Sequence, residues 1–154
     1  MQIKVTDQLI IQTLQEVIDL FLIPKFMALG MNASGSWISA LTPAVENGKG
    51  VIKGKYYTYY LVNGRAPGNA PPVAPLISWV QNKFGISGAQ GVGIAYAVSK
   101  KIAKEGTSYY PSGTELLEVL QSKEVTDYIY EKIRVDLKNS VTLEIKRMLK
   151  NGTV

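Results

Sequence analysis

Apolar side chains follow a helical pattern near the start of the chain. Between residues 6 and about 30 they lie at Leu9, Ile10, Leu14, Val17, Ile18, Phe21 and Leu22. This spacing predicts one amphipathic helix that begins at Thr6 or Asp7. Pro24 lies in its last third. Because a proline removes one backbone hydrogen bond and crowds the preceding turn, the helix is expected to kink or stop near Ile23.

The pattern changes between residues 32 and 64, where glycine and proline separate short apolar runs such as residues 37–41 and 50–53. Runs of this length between turn residues predict strands. Asn47 and Gly48 form a strong turn signal, because both central positions of a type I′ turn need a positive φ. We therefore expect a β-hairpin of about residues 38–62.

Residues 64–75 are rich in proline and glycine and lack apolar periodicity, which predicts an extended, stiff loop. Two helices are expected after it, over residues 76–84 and 90–105, with Gly85 and Gly106 at their C-terminal ends. The glycines of residues 88–93 superficially resemble a phosphate-binding loop. They lack the Gly-Lys-Ser/Thr ending of that motif, so a flexible helix connector is the better interpretation.

The last third of the chain is predicted to be helical. Ser112 and Glu115 have the spacing of a capping box, and a helix containing Leu116 and Leu117 is expected to follow. From residue 122 an apolar residue recurs at every fourth position, at Val125, Ile129, Ile133, Leu137, Val141, Ile145 and Leu149. A helix over residues 122–150 is about 40 Å long at ~1.5 Å per residue. Such a helix is long for a small domain and suits packing against another subunit.

Composition narrows the possible chemistry. The chain has 154 residues, the length of one domain, and contains neither His nor Cys. Thiol and imidazole catalysis, disulfides and Cys/His metal sites are therefore excluded. The first residues match neither a secretory signal nor a membrane span, so a soluble intracellular protein is expected. The sequence predicts no cofactor and no metal.

Charge is distributed unevenly. Residues 47–104 contain eight Lys and Arg and no acid, within a chain of net charge +5. The candidates for contact with DNA or another anionic partner are Lys49, Lys53, Lys55, Lys100, Lys101 and Lys104. Tyr56, Tyr57, Tyr59 and Tyr60 could stack on bases, so nucleic-acid binding is one interpretation of this segment. The interpretation that the residue types favour is that the lysines provide solubility and the tyrosines pack between core and solvent.

Two other groups of polar residues give no indication of a catalytic or metal site. Asp127 and Glu131 share one helix face with Arg134 and Lys138, which is the spacing of a solvated row of ion pairs rather than of an acid-base or metal site. Ser34 and Ser36 flank a glycine without any histidine to act as a base, so a turn or a helix cap is expected there.

Ordered motifs resemble a known family. Residues 31–41 (MNASGSWISAL) are followed by residues 56–67 (YYTYYLVNGRAP), 71–80 (PPVAPLISWV) and 95–107 (AYAVSKKIAKEGT). Together they resemble the HK97 gp10-like proteins of tailed bacteriophages, which are head-tail connector, neck or tail-completion proteins. The resemblance covers about residues 5–120, and the helix of residues 122–150 is an extension of that core.

The resemblance implies an α+β subunit with a small antiparallel sheet packed with helices, repeated in a six- or twelvefold homo-oligomeric ring. It implies no catalysis. The partners would be neighbouring portal, adaptor and tail proteins, with transient contact to the genome and none to a membrane. The protein would occupy the neck or tail of the virion, after assembly in the host cytoplasm.

We expect the loop of residues 64–75 and the last helix to carry contacts with other subunits or with a neighbouring ring. The proposed contact residues are Gly64, Arg65, Pro67, Pro71, Pro72, Trp79, Ile133 and Leu137. A small basic nucleic-acid-binding protein is the alternative, and it predicts binding that weakens steeply with salt. An enzyme using carboxylate or lysine chemistry is a third hypothesis, which would require turnover that depends on a particular Asp, Glu or Lys.

Overall fold

The computed structural model describes residues 5–151 and has an α+β fold with one two-stranded antiparallel sheet. The helices are α1 (Asp7–Val17), α2 (Ile23–Ala28), α3 (Thr58–Asn63), α4 (Val73–Phe84), α5 (Gly88–Glu105) and α6 (Lys123–Asn151). The strands are β1 (Thr42–Glu46) and β2 (Lys49–Lys53), and short 3-10 helices lie at Ile38–Ala40 and Glu118–Gln121. The predicted fold class, with a small sheet and a long C-terminal helix, is confirmed.

The N-terminal helix begins where the sequence predicts, because the Thr6 side chain accepts a hydrogen bond from the Leu9 backbone N–H at 3.2 Å. The sequence predicts a kink or a stop near Ile23, and of these the stop does not occur. A π-helical turn, Ile18–Leu22, joins α1 to α2, and the Ile23 N–H donates to the Ile18 carbonyl, five residues back. This wider turn changes the hydrogen-bond pattern just before Pro24, so the proline is accommodated inside a continuing helix.

The hairpin is shorter than predicted. Asn47 and Gly48 have φ values of 52° and 73°, as a type I′ turn requires, and β1 pairs with β2 from Thr42 opposite Lys53 to Glu46 opposite Lys49. The predicted limits of residues 38 and 62 are wrong, because Ile38–Ala40 is a 3-10 helix and Thr58–Asn63 forms α3. Aromatic residues have intrinsic strand preference, but as a helix this segment packs Tyr57, Leu61 and Val62 against the core.

The main core lies where the N-terminal helix meets the segments before and after the hairpin. Its buried members are Ile18, Leu22, Phe26, Trp37 and Leu116. The rings of Phe26 and Trp37 stack with centroids 4.3 Å apart, and the Trp37 indole N–H donates to the Thr58 hydroxyl at 2.9 Å. The indole is therefore buried without losing its hydrogen bond.

The capping-box prediction is wrong. Residues 112–117 form turns rather than a helix, and the Glu115 carboxylate pairs with the Lys25 ammonium at 3.0 Å instead of capping. The Thr114 N–H and hydroxyl donate to the carbonyls of Val62 and Leu61 at 2.6 and 2.8 Å. These long-range bonds hold the segment against the end of α3, and they replace the local bonds of a helix.

Helices α4 and α5 form an antiparallel pair that packs closely together. α4 ends at Gly85, which has a left-handed φ of 69° as predicted. The prediction of a flexible connector at residues 88–93 is wrong, since these residues form the first turns of α5 and the connection is only residues 85–87.

Helix α6 begins as predicted, with the Ser122 hydroxyl accepting from the Val125 N–H at 3.3 Å, and extends for 29 residues. Its first half packs on α1. Val125 is fully buried, and Ile133 and Leu137 are half-buried. The second half extends past these contacts.

Candidate functional site

The loop after α3 is fixed to the rest of the domain by its backbone. Gly64 is buried with φ of 73°, and the Arg65 N–H donates to the Thr107 hydroxyl at 2.8 Å. The Thr107 N–H donates in turn to the Arg65 carbonyl at 2.9 Å, and the Gly68 N–H donates to the Ala103 carbonyl at 2.9 Å. The loop is thus ordered by α5 and the residues that follow it, within one subunit.

These contacts divide the predicted loop residues into two groups. Gly64 is buried, and the Arg65 guanidinium donates to the Asn69 carbonyl at 2.7 Å, so it braces its own loop. Pro67 and Pro72 are exposed and Pro71 is half-buried. The outward surface of the loop consists of uncharged residues, Ala66, Pro67, Gly68, Asn69 and Ala70.

A mostly apolar groove of about 550 Å³ lies between α3, α4 and α5. Trp79, which the sequence suggests as a contact residue, is half-buried in its lining and meets Phe84 edge to face at 5.3 Å. Leu61 and Ile102 are also apolar members of the lining. Lys101 is an exposed, positively charged residue of the same lining. A volume of this size lies within the range of ligand pockets in proteins.

The groove lies between the α4–α5 pair and the rest of the molecule. Lys83 is half-buried at its edge and donates to the carbonyls of Gly30 and Asn32, the latter at 2.9 Å. The Ser99 hydroxyl, which is buried, donates to the Pro71 carbonyl at 2.8 Å. Lys83 therefore connects the two sides of the groove, whereas the Ser99–Pro71 bond fixes α5 to the residues just before α4.

The structure separates the six candidate lysines into two clusters. Lys49, Lys53 and Lys55 lie on or just after β2, and Lys53 pairs with Glu46 at 2.6 Å. Lys100, Lys101 and Lys104 are exposed along the second half of α5. Strand β2 packs on α1 whereas α5 packs on α4, so these lysines do not form one continuous stripe along a single element.

The four tyrosines around α3 differ in exposure. Tyr56, Tyr59 and Tyr60 are 88%, 66% and 49% exposed, while Tyr57 is half-buried against the core. Tyr56 meets Tyr57 edge to face at 5.8 Å, and Tyr59 meets Tyr60 in the same way at 5.6 Å. Tyr60 is also part of the groove lining.

The far half of α6 exposes large apolar side chains. Leu143, Ile145 and Leu149 are 67%, 48% and 64% exposed. Ile133 and Leu137, the contact residues suggested by the sequence, are half-buried and lie nearer to α1. Ile145 and Leu149 share one face of α6, so the more accessible apolar face lies about two to four turns beyond the predicted residues.

A polar cluster fixes α6 to α1. The Glu16 carboxylate accepts a hydrogen bond from the Tyr128 hydroxyl at 2.5 Å and pairs with the Lys132 ammonium at 2.6 Å. The bond to Lys132, followed by that to Tyr128, lowers the pKa of Glu16. The same carboxylate raises the pKa of Tyr128 and the pKa of Lys132. Phe21 completes the contact, edge to face with Tyr128 at 5.4 Å.

The acidic residues on α6 form ion pairs within the helix. Asp127 pairs with Lys123, and Glu131 pairs with Arg134 at 2.9 Å. No group of three or more acidic, His or Cys side chains that could hold a metal ion occurs within residues 5–151. Of the helices in this range, none is both long enough and apolar enough to cross a membrane. Ser34 and Ser36 lie in a turn, where the Ser34 hydroxyl accepts from the Ser36 N–H at 3.4 Å.

Sequence reasoning missed the groove, because its lining comes from residues separated by up to 79 positions, from Gly30 to Tyr109. It also missed a row of exposed apolar residues on the outer side of the N-terminal helix. That row had a signal in the sequence, since Leu20, Pro24 and Met27 are spaced by four and three. Comparison of the chain with protein-family models, curated proteins and solved structures found no match.

Proposed function

We propose that this protein is a structural subunit that assembles into a ring at the head-tail junction of a tailed bacteriophage, as a connector, neck or tail-completion protein. The observation that carries the proposal is the second half of α6. A helix of 29 residues extends beyond its own domain and presents Leu143, Ile145 and Leu149 to solvent. The ordered sequence motifs that resemble connector proteins support the phage assignment.

The first half of α6 packs on α1, whereas the second half extends past these contacts. An isolated helix shorter than about 12–15 residues is only marginally stable in water. Ile145 and Leu149 are four residues apart and share one face of α6, and an exposed apolar patch of this kind marks a surface that binds other proteins. A neighbouring subunit or ring that covers this face would both stabilise the helix and bury its apolar side chains. The exposed, uncharged loop of residues 66–70 would add a second, rigid contact.

The test is assembly of the purified chain, measured by size-exclusion chromatography with light scattering and by electron microscopy. The variant with Ile145→Lys and Leu149→Lys should lose ring formation, because burying an unpaired charge in an apolar contact is strongly unfavourable in free energy. The matched control carries Asn139→Lys and Ser140→Lys, which add the same charge at exposed polar positions of α6. Rings of equal yield in both variants would reject the proposal.

A second candidate function is nucleic-acid binding, and the exposed Lys100, Lys101 and Lys104 on α5 favour it. If all three contact phosphates, the logarithm of the binding constant should fall with the logarithm of salt with a slope of about −3. Fluorescence anisotropy with labelled duplex DNA would measure this slope. Replacing the three lysines by Gln should abolish it, whereas binding that survives the replacement would exclude α5 as the DNA contact.

A further inference from the structure

The N-terminal helix has an outward apolar surface, which we call the ridge: Leu20, Pro24 and Met27. Leu20 and Met27 are 55% and 50% exposed, and Pro24 is exposed between them. Side chains at i, i+4 and i+7 lie on one face of a helix, so the three form a continuous strip. Asp19 is exposed next to Leu20, and its carboxylate accepts a hydrogen bond from the Gln15 amide at 3.0 Å.

The groove between α3, α4 and α5 has the complementary properties. Trp79, Leu61 and Ile102 provide an apolar lining for side chains of the size of Leu and Met. Lys101 is exposed in this lining and forms no ion pair with any residue between 5 and 151. A ligand that is apolar and carries a carboxylate beside its apolar part would satisfy both features.

The charges of the two regions are opposite. Residues 7–27, which contain the ridge, have three acids and one base, Lys25, whose ammonium pairs with the Glu115 carboxylate at 3.0 Å. Residues 47–104, which supply most of the groove, have eight Lys and Arg and no acid. The end of α6 is a poor candidate for the groove, because residues 137–151 carry four basic side chains against Glu144. Of the exposed apolar faces described above, the ridge is the one with negatively charged neighbours, which complement the basic groove.

We propose that the ridge of one subunit binds in the groove of a second copy, with Asp19 beside Lys101. The inference rests on the proposed self-assembly and names the surfaces that perform it. Since the two surfaces differ, a first copy can bind a second and the second can bind a third, as a closed ring requires. The far half of α6 remains available for contacts with another part of the assembly.

Charge reversal tests the contact. Asp19→Lys and Lys101→Glu each place like charges together, and each should weaken self-association, measured by sedimentation velocity, about tenfold. An equimolar mixture of the two variants should restore association to within about twofold of the natural chain, because each contact then joins opposite charges. A chain that carries both Asp19→Lys and Lys101→Glu should also regain self-association, because its contact again joins opposite charges.

Controls separate this contact from a general effect of charge. Asp7→Lys and Lys100→Glu make the same changes at exposed positions outside the ridge and the groove, and they should leave association unchanged. Circular dichroism should show the natural helix content in every variant. Equal weakening by Lys100→Glu and Lys101→Glu, or a mixture that stays dissociated, would overturn the proposal.

Cysteine cross-linking gives a second readout, because the chain contains no cysteine of its own. A mixture of Asp19→Cys and Lys101→Cys chains should form a disulfide-linked heterodimer on mild oxidation, and either variant alone should form little. No association of the natural chain together with no heterodimer would overturn the proposal. A heterodimer in an assembly that is not a closed ring would support the ridge-groove contact and reject the ring function instead.

Discussion

Gly64 and Gly93 show how differently two glycines can be used in one chain. Gly64 ends α3 with φ of 73°, and a Cβ at this position would lie 2.5 Å from the Tyr110 backbone nitrogen. Gly93 lies in the middle of α5, and a Cβ there would have no atom within 4 Å outside its own helix turn. The first glycine is required by backbone geometry and close packing, whereas the second only adds flexibility to the unfolded and folded chain.

Alanine at these positions should therefore have opposite effects on the free energy of unfolding. Gly64→Ala is expected to lower it by about 2 kcal/mol or more, because the left-handed conformation and the contact with Tyr110 are both unfavourable for a side chain. Gly93→Ala should raise it by about 0.5–1 kcal/mol through helix propensity. Urea unfolding followed by circular dichroism measures both, and equal effects would contradict the assigned roles.

Single residues were predicted well where the cause is local. Thr6 caps the first helix, and Asn47 and Gly48 form the expected turn, because a side chain or a φ angle within a few residues is enough to decide each feature. Glu115 was predicted wrongly as part of a capping box. Its carboxylate instead pairs with Lys25, 90 positions earlier, and no local pattern reports such a partner.

At the scale of elements, the attachment of α6 to α1 depends on the Glu16 carboxylate. Its two partners, the Tyr128 hydroxyl and the Lys132 ammonium, both lie on α6 at 2.5 and 2.6 Å. The hydrogen bond from Lys132, followed by that from Tyr128, lowers the pKa of Glu16 from its usual 4.5. A lowered pKa in the folded state means that the native protein binds this proton less readily than the unfolded chain.

Glu16→Gln should lower stability near neutral pH, and the loss should depend on pH. The contribution of the carboxylate is fully present above pH 4.5 and disappears as the pH falls through the lower folded-state pKa of Glu16. The natural chain and the variant should therefore become equally stable in acid. At the alkaline end, Tyr128 has a raised pKa, so its contribution is present below pH 10.0 and is lost as the pH rises through the folded-state value.

Thermal unfolding of both chains between pH 3 and pH 8 would measure this difference. The matched control is Glu131→Gln, which removes an exposed pair with Arg134 inside α6 and should change stability little. A constant difference between natural chain and Glu16→Gln at all pH values would show that Glu16 acts through packing rather than through its charge.

At the scale of the whole molecule, the α4–α5 pair is joined to the main core by few polar contacts around the groove. Val80 and Ala95 are fully buried within this pair, but the main core of Ile18, Leu22 and Phe26 does not include them. Lys83 is a principal connection, because it donates to the carbonyls of both Gly30 and Asn32. Regions with fewer buried contacts open at lower free energy than the core.

Lys83→Met should therefore loosen α4 and α5 without affecting the main core. Amide hydrogen exchange in these two helices is expected to become about tenfold faster, since hydrogen bonds from a charged donor are lost. The amides of Leu22 and Phe26 should keep their protection. Lys100→Met is the control, because Lys100 is exposed on α5 and does not contribute to the groove lining. Uniform acceleration along the chain would mean that the molecule opens as one unit.

The sequence by itself determined several local features of this protein: the Thr6 cap of α1, the type I′ turn, the C-terminal glycine of α4 and the long α6. Each depends on residues within one or two turns of each other, so spacing and residue type are sufficient to predict it. The tertiary structure alone decided the features that depend on distant residues. Residues 58–63 became helical with Leu61 and Val62 packed against the core, Glu115 paired with Lys25, and the groove formed from segments far apart in the chain. The free energy of such long-range contacts exceeds the local preference for helix or strand. These contacts join residues that are far apart in the chain, so the local sequence pattern does not predict them.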